Sequence, residues 1–185
     1  VQPPENPGKR QRWFVFQGDR LLVPSQRSGE LRLYLDAAEQ SRCPVFAVQF
    51  LGRLDGEPCF GAEVEAAAQL PAEIHTVGLR PLLGTAEEEV LAVAGRARQL
   101  VQWARNHRFC GRCGGETRPK VEERARVCGD CEQTWYPRVS PAVIVAVVRD
   151  GHILLARSNR RPTGFYSVLA GFVEPGETLE AAVRR

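Results

Sequence analysis

The chain has no methionine and only two lysines, Lys9 and Lys120. Without methionine, Val1 is not a native start, and trimming at both ends is expected. Arginine supplies the rest of the 25 basic residues. That imbalance reads as a compositional bias of the source genome and has no functional content. No apolar run reaches the roughly 18–20 residues that span a bilayer. The longest, Ala142–Val148, is strand-sized. The opening Val1-Gln-Pro-Pro-Glu-Asn-Pro-Gly8 has no signal-peptide core. These absences exclude a helical membrane protein and point to the cytosol. An excess of charge of one sign is also missing. A net +3 permits an anionic substrate without demanding nucleic acid.

What remains is an ordinary globular composition, 43% hydrophobic and 25% charged. The length of 185 residues allows one or two domains with cores. Three blocks are expected: 1–105, 106–138 and 139–185. In the first, Trp13–Phe16, Leu21–Val23, Leu31–Leu35 and Pro44–Leu51 are short and β-rich. Turn-like segments at 17–19, 25–29 and 54–58 separate them, so a small sheet of hairpins is expected. A helix is expected over Thr85–Arg105, with Thr85 and Glu88 as an N-terminal capping box. Its apolar residues Val90, Leu91, Ala94, Ala97, Leu100, Val101 and Ala104 recur at helical spacing. By itself this block says α+β domain and nothing about function.

Cysteine usage is more informative. Cys43 and Cys59 stand alone and read as small buried hydrophobes, not as a disulfide. Cys110 and Cys113, fourteen intervening residues, then Cys128 and Cys131 have the spacing of a four-thiolate zinc site. Each Cys-x2-Cys knuckle offers two sulfurs, and two knuckles complete the tetrahedron that structural zinc prefers. Free thiols or a redox pair are the competing reading. Gly111, Gly114 and Gly129 suit backbone turning sharply around a metal. With four thiolates in place no position is left for water, so one structural zinc per chain is expected. His107 could be offered as a ligand, but four cysteines leave it a surface or supporting role. Arg112, Arg118, Lys120, Arg124 and Arg126 make this stretch basic. They read either as a solvated face or as a contact for phosphates or RNA.

The third block opens with Val143–Val148, read as a strand buried on both faces, and His152–Ala156. Asp150-Gly151 between them is a strong hairpin signal. A polar loop at 158–164 and a short strand near Ser167–Leu169 follow. Then comes Gly171-Phe-Val-Glu-Pro-Gly-Glu177, and Thr178–Arg185 begins a helix. Gly171, Glu177 and Arg185 fill the first three fixed positions of the Nudix box, Gly-x5-Glu-x7-Arg-Glu-aliphatic-x-Glu-Glu-x-Gly-aliphatic. The later glutamates have no counterpart in the chain. With the cysteine cluster upstream, Arg108-Phe-Cys110 at its start and Tyr136-Pro137 after it, the chain resembles the NADH pyrophosphatase branch of the Nudix hydrolases. The likeness covers residues 93–185 well and the first 92 loosely.

That resemblance implies an N-terminal α+β domain, a zinc ribbon and the first part of a Nudix α/β/α sandwich. It implies hydrolysis of the diphosphate of NADH and NAD+ to NMN(H) and AMP, removal of NAD caps from RNA, and a homodimer. Mg²⁺ or Mn²⁺ would serve catalysis, because hard divalent ions held by oxygen neutralise a diphosphate and place a water in line with phosphorus. The backbone carbonyl of Ala170 would be a metal ligand. Glu177 and Arg185 would form an ion pair fixing loop and helix. Tyr136 and Glu123 would contact the dinucleotide, against an aromatic seam residue and a plain surface carboxylate. Arg80 and Arg20 would supply basic substrate contacts. Glu174 and Glu180 fall at variable positions and are expected to be solvated. With no catalytic glutamates present, the 185 residues are expected to be an inactive excerpt. Two other functions stay open: a Nudix hydrolase for ADP-ribose or another nucleoside diphosphate derivative, and a non-catalytic zinc-ribbon protein that binds nucleic acid.

Overall fold

The computed structural model describes residues 3–5, 7–8, 10–25, 31–157 and 164–185. They form two compact units, Val1–Pro137 and Arg138–Arg185. The expected turn at 25–29 lies outside the described residues from Gln26 onward, and the loop expected at 158–164 does so up to residue 163.

In the first unit, β1 (Arg12–Gln17) and β2 (Arg20–Pro24) form one antiparallel hairpin, and β3 (Val45–Leu54) and β4 (Glu57–Val64) form another. Asp55 and Gly56 both have positive φ, 51° and 76°, as a two-residue type I′ turn requires. With β5 (Ile74–Val77) the sheet runs β3-β4-β1-β2-β5. It is not built of hairpins alone, as expected from sequence: β1 and β4 pair in parallel. The cause is in β1 itself. Phe14, Val15 and Phe16 are all fully buried, so this strand needs a neighbour on each side and cover on each face. Alternation sends Phe14 and Phe16 to one core with Val90, Ala94, Ala97 and Leu100. Val15 goes to the other with Leu22, Leu35, Ala62 and Val64. Trp13 stacks on Phe60 across the parallel pair, ring centroids 4.6 Å apart.

The strand expected at Leu31–Leu35 shrinks to one bridge between Leu35 and Trp13. Asp36 and Glu39 then form a reciprocal capping box that turns the chain into α1 (Ala37–Gln40). The other capping box expected, at Thr85 and Glu88, is absent. α2 (Glu88–Asn106) starts after Glu87 with no side-chain cap, and Thr85, two residues ahead of that N-cap, donates its hydroxyl to the Leu82 carbonyl at 3.2 Å in the turn that follows a 3₁₀ segment at Arg80–Leu82. The helix lies close against the sheet. A Cβ on Gly61 would sit 3.2 Å from Ala97 Cβ and Val101 Cγ2. Cys43 and Cys59 are buried free thiols. Beyond α2, β6 (Thr117–Pro119), β7 (Arg126–Cys128) and β8 (Thr134–Trp135) make a three-stranded antiparallel ribbon.

In the second unit, β9 (Ala142–Val145) pairs with β12 (Leu169–Phe172), and β10 (Val148–Arg149) with β11 (His152–Ile153). Asp150 and Gly151, φ 48° and 74°, form the I′ turn between the latter pair. Helix α3 (Leu179–Arg184) packs on β9 and β12. The strand expected over Val143–Val148 is split between β9 and β10. Nor is it buried on both faces: Ile144 is 67% and Val148 65% exposed. Burying both faces takes a covering layer on each, and among the described residues α3 is the one helix packed on this pair. The fold as a whole is mixed α+β, as expected.

Candidate functional site

The four clustered cysteines converge. Their Sγ atoms all lie within 4.8 Å of one another. Separations are 3.7 Å for Cys110–Cys131, 3.5 Å for Cys113–Cys128 and 3.4 Å for Cys113–Cys131. Disulfides would need about 2.05 Å. Tetrahedral zinc with Zn–S of about 2.3 Å sets S···S edges of about 3.8 Å, so the donor set fits that ion. Burial opposes ionisation of Cys110, but backbone N–H groups of Arg112 and Cys113, together with Trp135 and Cys131, outweigh it and bring the thiol down to about 6. At Cys113 the Gly115 N–H favours the thiolate, yet the sulfurs of Cys131 and Cys128 push it up to about 12. A central cation relieves that crowding, because it binds all four sulfurs as thiolates.

Backbone geometry holds the knuckles. Gly114 N donates to the Cys110 carbonyl at 2.9 Å, with φ at +81°. Of the three glycines singled out by sequence, Gly114 is the one with positive φ. Gly111 instead leaves room for Trp135, whose ring would lie 3.3 Å from an added Cβ. In the second knuckle the place matching Gly114 is taken by Glu132, at φ 59°. A residue with a Cβ there costs about 1–2 kcal/mol. Part of that returns as the extra chain entropy of glycine. Glu132→Gly is therefore expected to stabilise the protein by about 0.5–1 kcal/mol; an unchanged or lower Tm of the zinc-loaded variant would count against the assignment.

His107 is not among the sulfur ligands. Its Nδ1 lies 2.8 Å from the Trp103 carbonyl, and its ring sits near those of Trp103 and Trp135. The basic ribbon residues divide. Arg112 and Arg118 are exposed, while Arg126 is half-buried and clamps the ribbon to the end of α2. It donates to Thr117 Oγ1 (2.7 Å), the Thr117 carbonyl (2.6 Å) and the His107 carbonyl (3.1 Å).

Two sequence candidates meet in space. The Tyr136 hydroxyl donates to Glu123 Oε1 at 3.1 Å, and Lys120 Nζ donates to the same oxygen at 2.5 Å. Lys120 foremost holds the Glu123 carboxyl below its usual range, against an opposing effect of burial and with further help from Tyr136. Lys120 was not picked out for this role, though opposite charges three residues apart in a turn were a readable signal. Arg20 is apart from this group. Exposed at the start of β2, it donates to Thr76 Oγ1 (2.9 Å) and the Thr76 carbonyl (2.7 Å). Arg80 opens the 3₁₀ segment and is exposed.

The residues 171–185 close on themselves. Arg185 donates from Nε to Glu177 Oε1 (2.7 Å) and from Nη2 to Glu177 Oε2 (2.9 Å) and the Phe172 carbonyl (2.9 Å). The Glu174 N–H donates to Glu177 Oε2 at 3.0 Å. Thr178 caps α3, accepting from Ala181 N at 3.1 Å. The conformational freedom of glycine is used at Gly176, φ +85°. Gly171, the first fixed position of the motif, is a strand residue in β12 opposite Val143, where an added Cβ would meet nothing within 4 Å. Ala170, beside it, pairs with Ile144. Glu174 and Glu180 are exposed. The Arg185 fork lowers the Glu177 carboxyl to about 2 from an ordinary 4.5. A depressed acid contributes stability that is complete above about 4.5 and lost as pH falls through about 2. Carboxyl NMR is expected to find Glu177 ionised at pH 3.5, and Arg185→Gln is expected to return its midpoint toward 4.5. A midpoint near 4.5 in the unmodified chain would refute the pairing.

Family models match along the whole of this arrangement. One described as an NADH pyrophosphatase-like rudimentary NUDIX domain matches residues 10–103, an NADH pyrophosphatase zinc ribbon domain matches 105–136, and a NUDIX domain matches 138–185. The chain is 43% identical over 93% of its length to a protein of Pseudomonas fluorescens (strain Pf0-1) named NAD-capped RNA hydrolase NudC, covering 58% of that relative. Proteins of the same name from Deinococcus radiodurans and Chromobacterium violaceum are 46% and 39% identical over 94% and 95% of the chain, which covers 60% and 63% of them. The chain thus spans less than two thirds of the length of these curated relatives.

Proposed function

The chain belongs to the NADH pyrophosphatase-like NUDIX family, and from that premise we propose that the protein hydrolyses the diphosphate of NADH and NAD+ to NMN(H) and AMP, and removes NAD caps from RNA. The observation carrying this reading is the likeness, at 39% identity or more over more than nine tenths of the chain, to proteins named NAD-capped RNA hydrolase, together with the match to NADH pyrophosphatase-like family models. The joined Tyr136–Glu123–Lys120 group supports it chemically. A phenol, a carboxylate and an ammonium offer donor and acceptor to a nucleotide's ribose and amide edges. Tyr136 and Glu123 contact the dinucleotide in this reading, with Arg80 and Arg20 as basic contacts. The protein works as a cytoplasmic homodimer.

Structural zinc belongs to the ribbon. For Mg²⁺ or Mn²⁺ the described residues offer one oxygen of the family's set, the Ala170 carbonyl, beside a loop braced by Glu177 and Arg185. A divalent ion held there would offset the charge of the diphosphate. One carbonyl is no binding site for such an ion. The 185 residues by themselves are therefore proposed to be inactive.

The test uses two proteins, a full-length protein carrying this sequence and the 185-residue chain. With Mg²⁺ and NADH the former is expected to release AMP and NMNH and the latter neither. Preference for ADP-ribose would favour another hydrolase of the family. RNA binding with no AMP release from NADH by the full-length protein would sink the enzyme reading.

A further inference from the structure

The four cysteines are not equally sheltered. Cys110 and Cys128 keep 4% and 1% of their residue surface, whereas Cys113 is exposed and Cys131 is intermediate, and the Cys113–Cys131 sulfur contact is the exposed one of the three. Each knuckle therefore has an inner cysteine and an outer one. The inner cysteines are the first of each pair, and their backbone is bonded into the ribbon. Cys110 N donates to the Gly115 carbonyl, and Cys128 lies within β7 opposite Thr117. The outer two, one from each knuckle, are 3.4 Å apart, the shortest of the three separations above. Their bonding would join the knuckles to each other in place of the ion.

We propose that Cys113 is an oxidation site and that peroxide converts Cys113 and Cys131 into a disulfide with release of the zinc ion. Thiolate reactivity follows access as well as ionisation, and in the zinc-loaded ribbon all four sulfurs are thiolates. Access then decides, and it selects Cys113. Its sulfur attacks one oxygen of hydrogen peroxide, the O–O bond breaks, hydroxide leaves and a sulfenic acid remains. The Cys131 thiolate attacks that sulfur, the S–S bond forms and a second hydroxide leaves. Two electrons pass from the two sulfurs to the peroxide, and two protons from solvent complete two waters. With Cys113 and Cys131 joined, only Cys110 and Cys128 would be left as thiolates, too few to hold a structural zinc ion. The consequence reaches past the metal. Lys120, Glu123 and Tyr136 are carried on the ribbon and its flanks, so a ribbon without its ion no longer holds that group together.

None of this depends on the pyrophosphatase reading, and the test is read without measuring activity. Zinc-loaded protein is treated with hydrogen peroxide in metal-free buffer. Zinc release is followed with a chromogenic chelator, and cysteine products are mapped by mass spectrometry. Release of the zinc is expected in step with a Cys113–Cys131 disulfide, reversed by dithiothreitol and added zinc. Alkylation of untreated zinc-loaded protein is expected to label Cys113 at least about tenfold faster than Cys110 or Cys128. Cys113→His keeps a four-ligand Cys3His site and is expected to hold zinc at peroxide levels that empty the parent. The proposal is overturned by disulfides confined to single knuckles, by equal labelling of inner and outer sulfurs, by zinc retained under peroxide, or by a Cys113→His protein that loses zinc as fast as the parent.

Discussion

Removing zinc unfolds the ribbon and leaves the five-stranded sheet folded. A chelator at neutral pH is expected to abolish the ribbon's amide dispersion, while resonances of Phe14, Val15 and Phe16 keep their positions. The reason is where buried apolar side chains lie. Both hydrophobic cores are made of residues from the sheet strands, α2 and the segments joining them, and neither includes a ribbon residue. Between residues 108 and 137 the buried positions are Cys110, Thr117, Ala125 and Cys128, two of them sulfur ligands. So little apolar burial does not offset the chain entropy of that many ordered residues. The metal does, since structural zinc contributes about 10–16 kcal/mol in comparable small sites at pH 7. Cys128→Ser, at the most buried ligand, is expected to reproduce the zinc-free state. A ribbon that keeps its dispersion after complete loss of zinc would falsify this account.

The second large effect lies in the first unit. Glu63 is 2% exposed, within β4, and Arg105 of α2 donates to its Oε1 at 2.6 Å. Its Oε2 has no hydrogen-bond partner. Burial pushes the Glu63 carboxyl up, and Arg105 and then Arg98 pull against it. Removing the charged partner of a buried ion costs about 3–5 kcal/mol. Arg105 is 45% exposed at its side chain and Arg98 remains nearby, so Arg105→Ala is expected to cost about 3 kcal/mol at pH 8. An acid whose folded value is raised contributes stability that is fully present below its unfolded value of about 4.5. That contribution is lost as pH rises through the folded value. Arg105→Ala should therefore be least costly in acid and most costly at pH 8, by denaturant titration at both. Adding Glu63→Gln should recover part of the loss at pH 8. A cost that does not vary with pH would assign the effect to lost packing of the arginine stem.

How much was readable in the sequence differs by element. The turns at Asp55-Gly56 and Asp150-Gly151 were readable because two residues with positive φ demand particular side chains, and the demand is local. The apolar periodicity of α2 was readable for the same reason. Its start was not. Thr85 and Glu88 fit a capping box, but the preceding turn delays the helix so that Glu87 is its N-cap and Thr85 lies two residues too early to cap it. Leu31–Leu35 had the composition of a strand, yet after Leu35 the capping box of Asp36 and Glu39 competes with pairing and wins. In the candidate site, Tyr136 and Glu123 were both named as dinucleotide contacts, and the Lys120–Glu123 spacing was readable. Thirteen residues of separation did not show that the Tyr136 hydroxyl shares a single carboxylate oxygen with that ammonium.

The sequence by itself determined the zinc site and the order of the three matched segments. Both rest on residue types at fixed short spacings, and covalent geometry carries that information without help from the rest of the chain. Only the tertiary structure decided that β1 lies beside β4 in parallel, that Glu63 is buried against Arg105, and that Cys113 is exposed while Cys110 and Cys128 are buried. Each of these depends on which distant segments compete for the same space. A hydrophobic strand or a cysteine pair cannot record the outcome of that competition in its own few residues.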